Sequence, residues 1–127
     1  MYVEINGKNH NLKSITFSVL KDKLVSQEKR QTIRTNYLPK YVEGETVAIA
    51  WRNKDKTKSL LYLARISQIR FMKIKTIPTQ IAIQDGFDSR QALFTALKQL
   101  NGSLNPDQYV CITNWIPIET PQQRLKA

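Results

Sequence analysis

The sequence predicts an α+β fold, a small antiparallel β-barrel or curled sheet with two main flanking helices, on three observations. Strand-forming segments dominate the order of elements, which runs strand, short helix, several strands, helix, strand. Thr46-Val47-Ala48-Ile49-Ala50-Trp51 is dense in β-branched and aromatic residues. Asp88 to Gly102 has the cap, the apolar stripe and the terminal glycine of a helix. With 127 residues, 41% of them hydrophobic, the chain suits one packed core better than two. One domain is therefore expected over 1–127, with its core at about 14–118 and a polar tail at 119–127.

Tyr2-Val3-Glu4-Ile5 alternates as an edge strand does, and Asn6-Gly7 reads as a turn. Ser14 to Phe17 is the next strand. A short helix is expected from about Val19 to Gln27, with Ser18 as N-cap and Leu20 and Leu24 on its inner face. It delivers a strand over Lys29 to Arg34. Alternation there points Arg30, Thr32 and Arg34 one way and Gln31 and Ile33 the other.

Pro39 and Glu43-Gly44 break the chain before the Thr46–Trp51 strand. Its partner starts near Ser59, across a polar tip at 52–58 that is a solvated hairpin or a grip on a phosphate backbone. Leu60 to about Lys75 is one bent strand or two consecutive ones, with Arg65, Arg70, Lys73 and Lys75 on its outer side. Pro78 interrupts Ile77 to Ile83 and leaves an edge strand there. Asp85-Gly86-Phe87 is a turn into the second helix, capped by Asp88 with Gln91 as capping-box partner and Leu93, Leu97 and Leu100 as its stripe. Tyr109 to Ile118 closes the fold as a strand.

Lys and Arg number 20 against 10 Asp and Glu, a formal charge of +10, and the pI is near 9.9. That bias favours polyanions, with RNA, DNA or a phosphorylated ligand first. No segment has the apolar length of a spanning helix and the first 13 residues lack signal-peptide design, so a cytoplasmic protein without a membrane partner is expected. The single Cys111 sits in an apolar run, and the single His10 sits in a polar stretch read as a loop. One His and one Cys do not make a zinc site or a Cys-His catalytic pair, and 4 glycines do not make a phosphate loop. No metal or cofactor is expected.

Lys29, Arg30 and Arg34 crowd around the Thr32 hydroxyl, an arrangement that calls for an anion or carboxylate. The stretch Ser26-x-Glu28-Lys29-x-x-Thr32-x-Arg34, the Gly44-acidic turn before a strand and the Asp85-Gly86-Phe87 turn before a helix together resemble the ASCH domain family. Its fold is similar to the PUA domain of RNA-modifying proteins, and the resemblance covers most of Ser14 to Ile118. The family motif Gly-x-Lys-x-x-Glu-x-Arg falls on Gln27, Lys29, Thr32 and Arg34, so Lys and Arg match while Gln and Thr replace Gly and Glu. Lys-x-x-Thr-x-Arg also occurs in the small bacterial amidohydrolases that deacetylate acetylcytidine. There the resemblance implies Thr32 as nucleophile, Lys29 as its activator and Asp85 as the completing acid.

The expected protein is thus a PUA-like barrel that binds RNA or a nucleoside or nucleotide ligand in a basic cleft, with Arg30, Arg34, Arg65 and Arg70 as binding cations. Tyr37 and Tyr41 stand on the rim. Trp51 and Trp115 are candidates for stacking on a base or for the core. The alternatives are an amidohydrolase acting on N-acylated cytidine-like nucleosides through Lys29, Thr32 and Asp85, a ribonuclease using the same cleft, and a regulatory protein-interaction module.

Overall fold

The computed structural model describes residues 1–35 and 40–118. Strands β1 (Tyr2–Ile5) and β2 (Lys8–Asn11) form a hairpin. Strands β3 (Ser14–Phe17), β4 (Gln31–Arg34), β5 (Thr46–Arg52), β6 (Lys58–Lys73) and β7 (Tyr109–Ile118) form one sheet in the order β3-β5-β6-β7-β4. The sheet is strongly curled into a half-barrel, so β3 and β4, its two edges, lie beside a common seam. Two register shifts bend it. One between Ile49 and Ala50 distorts the β5–β6 ladder, and one between Ile66 and Gln68 leaves Ser67 unpaired against β7. An extra residue on one strand deepens local twist and turns a flat ladder inward.

Helices are α1 (Lys21–Val25), α2 (Thr79–Gln84) and α3 (Arg90–Asn101). The hollow of the sheet is filled by Ile15, Phe17, Leu24, Ile49, Ile66 and Trp115. A second core, with Ile33, Ile81, Leu93, Leu97, Val110 and Ile112, joins α2 and α3 to the outer face. The centre of β7 is therefore buried on both sides, Val110 and Ile112 towards the helices and Trp115 into the hollow. Val3 covers a third cluster with Ala48 and Leu63.

Several expectations give way to tertiary structure. Ile77–Ile83 is not an edge strand: Pro78 is the N-cap of α2, where its missing N–H costs nothing, and Ile81 and Ala82 are buried by the helix. Among the described residues α2 thus joins the two main helices that were expected. The sheet is not wholly antiparallel, because β3 runs parallel to β5. Helix α1 is shorter than expected, and its N-cap is Leu20, not Ser18, at φ 63° with no side-chain cap bond. In α3 the cap is Ser89, whose Oγ accepts from Ala92 N at 3.0 Å, which displaces Asp88 and Gln91 from their assigned roles. Leu100 is exposed, so the buried stripe is Leu93 and Leu97. His10 is not in a loop but on exposed β2. β4 starts at Gln31 rather than Lys29, and Lys75 belongs to a 3-10 turn over Ile74–Thr76. The tip at 52–58 is a hairpin closed by Asn53 N to Thr57 O at 2.8 Å. Tyr109–Ile118 is a strand over the expected range.

Candidate functional site

The site lies where the chain leaves α1 for β4. Gln27 has φ +64°, in the left-handed region that favours glycine. The reversal turns the backbone so that Lys29 N reaches Lys23 O at 3.0 Å, and the Lys29 side chain runs inward. Lys29 is 4% exposed. Its ammonium donates to the Asp85 carbonyl at 2.6 Å and pairs with Asp85 Oδ2 at 3.2 Å. It also stands 5.5 Å from the centre of the Phe17 ring.

Asp85 occupies this place because α2 stops there. It is the C-cap of the helix, and Gly86 follows at φ +100°. A helix C-terminus presents unpaired carbonyls and partial negative charge, which lysines complement. Lys29 takes the Asp85 carbonyl, Lys23 takes Gly86 O at 2.8 Å, and the Gln31 amide takes Ile81 O at 3.0 Å. Gln31 Nε2 also donates to Asp85 Oδ1 at 3.3 Å. Burial raises the Asp85 pKa, against the opposing pull of Lys29, Gln31 and Arg34. Burial lowers that of Lys29, against Asp85 and with help from Arg34 and Lys23. Both shifts favour the neutral forms and ease proton transfer across the pair.

Thr32 and Arg34 occupy the other side of β4. Arg34 Nε donates to Thr32 Oγ1 at 2.9 Å, and its Nη2 donates to Thr16 O at 3.1 Å, so one guanidinium ties the edge strand β4 to the edge strand β3. The guanidinium carbon lies 5.3 Å from the Phe17 ring centre. Thr32 is 4% exposed and pairs across the ladder with Thr113. Tyr41 is half-buried beside this seam, its hydroxyl donating to Ser14 O at 2.9 Å, and its pKa is raised by burial.

Lys29 with Asp85 and Thr32 with Arg34 are thus two directly bonded pairs, brought near each other where the Lys29 and Arg34 cations both approach the Phe17 ring. Arg30 is elsewhere. It precedes β4, donates from Nε to Gln27 O at 2.8 Å, and lines a groove with Gln31 and Arg70, so it does not share a face with Thr32 and Arg34. Arg70 is partly buried and donates to Asn114 Oδ1 at 2.9 Å. Arg65 is exposed on β6, opposite Thr46 and Ile116. Tyr37 lies outside the described residues. Trp115 is core, its Nε1 donating to Tyr62 Oη at 2.8 Å, and Trp51 is half-buried with Lys21 over its ring at 5.4 Å.

Gln31, Asn114 and Phe17 were missed as site residues. Asn114 Nδ2 donates to Gln31 Oε1 at 3.1 Å, so Arg70, Asn114, Gln31, Asp85 and Lys29 form one continuous chain of polar contacts. An amide side chain within the apolar run Tyr109–Ile118 was the available signal. Among the described residues no group of three or more His, Cys, Asp or Glu is placed to hold a metal, and no helix is long and apolar enough to cross a membrane.

No family model and no curated protein matches the chain. Solved structures do. An ASCH domain from Lactobacillus crispatus superposes with a TM-score of 0.58 at 12% identity, covering 83% of this chain and 79% of the other. The fold is that of an ASCH domain. The ASCH-like architecture extends to a protein from Enterococcus faecalis assigned to family DUF984, with a TM-score of 0.58 at 11% identity over 87% of this chain and 83% of that one.

Proposed function

We propose that this ASCH-fold protein binds RNA or a nucleotide at the seam between β3 and β4. The observation that carries the reading is Arg34. Its guanidinium is held flat by Thr32, Thr16 and Phe17, and among the described residues no partner takes its remaining terminal N–H groups. A fixed, planar donor of this kind suits a phosphate oxygen or a base edge. Lys29 is not open to a phosphate in this reading, because it is buried and paired with Asp85. Its part is to hold the floor of the site rigid. The net charge of +10 supplies attraction for the polyanion.

The test is fluorescence anisotropy with a labelled single-stranded RNA 12-mer over a salt series. Arg34→Ala is expected to weaken binding about tenfold. Equal affinity in wild type and variant, or no binding by the wild type at low salt, overturns the reading.

The buried Lys29–Asp85 pair, three residues along the chain from buried Thr32, supports a second reading, hydrolysis of an N-acylated cytidine-like nucleoside. The Thr32 oxygen adds to the acyl carbon as its proton passes to a neutral Lys29, whose own proton resides on Asp85. The carbon–nitrogen bond breaks, the leaving amine takes a proton back, and water cleaves the acyl-threonine ester to release the acid. Release of cytidine from acetylcytidine, lost in Thr32→Ala and Lys29→Ala, is the expected result for an enzyme. Absence of cytidine with wild-type protein sinks hydrolysis of this substrate and leaves binding standing.

A further inference from the structure

On the helix-bearing side of β4 lies a groove of about 440 Å³. Arg30, Arg70, Gln31, Gln68 and Asn114 contribute to its wall, and Glu28 is its acidic member. Two guanidiniums in one small polar groove repel each other unless an anion joins them. Arg30 is fastened through Nε to Gln27 O at 2.8 Å, and no hydrogen bond among the described residues takes its terminal nitrogens. Arg70 is fastened through Nη2 to Asn114 at 2.9 Å, and its Nε is the single buried side-chain nitrogen or oxygen without a hydrogen-bond partner among the described residues. Buried donors are almost always satisfied, so the orphan leaves the Arg70 guanidinium short of one bond, and any ligand meets it through its terminal nitrogens because the Nε is sealed from solvent. The Gln31 and Asn114 amides are taken up by each other, by Asp85, by Ile81 O and by Arg70 and form the groove's fixed back wall, while exposed Gln68 offers a paired donor and acceptor, the chemistry that reads a base edge.

We infer that this groove is a second nucleotide subsite, in which Arg30 and Arg70 take an RNA phosphodiester and the Gln68 carboxamide meets the attached base, while the neighbouring nucleotide occupies the β3–β4 seam. The inference rests on the RNA-binding reading above and specifies the path of the strand. Gln31 stands between the two places, bonded to Asn114 on the groove side and to Asp85 on the other. A strand crossing the start of β4 meets both.

The experiment uses the full chain, the same RNA 12-mer and cytidine 5′-monophosphate, with Arg30→Glu, Arg70→Ala and Arg34→Ala, and with Lys98→Glu on α3 as a charge control. Arg30→Glu is expected to weaken 12-mer binding about tenfold or more and, with Arg70→Ala, to lower the slope of log affinity against log salt by about 0.7 per lost contact. Lys98→Glu should change affinity less than about threefold on the same scale. The mononucleotide, which fills the seam alone, should respond to Arg34→Ala and not to Arg30→Glu. Because Arg30 is exposed, its variant reports even where Arg70→Ala folds poorly. If Arg34→Ala weakens the 12-mer while Arg30→Glu matches the wild type or Lys98→Glu, the groove proposal falls and the seam reading survives. Failure of the wild type to bind RNA overturns both.

Discussion

Lys29 and Asp85 exchange hydration for each other, and the trade is costly on each side. Removing one partner strands the other in a buried position, so Lys29→Met is expected to lose about 3–5 kcal/mol in urea denaturation, while Lys29→Met with Asp85→Leu recovers most of it. The pH dependence follows from the two shifts. The Asp85 pKa is raised above 3.8, so its contribution is fully present below that value and is lost as pH climbs through the raised pKa. The Lys29 pKa is lowered from 10.5, so its contribution is present above that value and is lost as pH falls through the lowered pKa. The stability of wild type relative to the double variant is therefore lowest between the two windows and rises toward about pH 4 and about pH 10. A flat difference across that range would show that the pair keeps ordinary titration. Gln27 is a separate residue-scale case. At φ +64° it sits where only glycine is unstrained, and Gln27→Gly is expected to stabilise the fold by about 1 kcal/mol in the same assay.

At the level of elements, turns decide what the strands and helices can present. Gly86 permits α2 to end on Asp85, and a Cβ there meets Leu20 Cδ1 at 2.9 Å in addition to the backbone strain at φ +100°. Leu20 can shift, but the strain stays, so Gly86→Ala should cost about 1–2 kcal/mol and loosen the contacts of Lys29 and Lys23 with the end of α2. Ser89→Ala, which removes the α3 cap, should cost about 1 kcal/mol, read from the thermal midpoint. The elements legible in the sequence were those with strong local chemistry. β5 and β7 show their apolar runs, α3 its terminal glycine, and the 52–58 tip its polar residues. Elements whose identity depends on distant partners were hidden. Thr79–Gln84 reads as a broken strand until the second core claims Ile81 and Ala82 on one helical face. β2 has no buried side chain and pairs only because β1 does. The motif residues were legible for a related reason, since Lys29, Thr32 and Arg34 lie within one short stretch. Asp85 came into view through resemblance, whereas Gln31 and Asn114 meet across β4 and β7, a pairing that local pattern does not encode.

For the whole molecule, the important fact is that one strand serves two cores. β6 pairs with β5 over Lys58–Arg65 and with β7 over Leu63–Lys73, and its residues reach both the hollow of the sheet and the edge of the helix-covered face. Trp115 fluorescence, which reports the hollow, and far-UV circular dichroism, which reports α3 on the other face, should therefore trace one unfolding curve; separated midpoints would show independent cores. Arg34 adds a second tie by joining the sheet's two edges. The 16-residue strand acts like a roof beam resting on two walls. Cutting the chain in the hairpin tip, between Lys54 and Asp55, leaves that beam intact and should leave the protein assembled. Cutting it at Ser67, where the bend lies, saws the beam at mid-span and should let the two halves come apart.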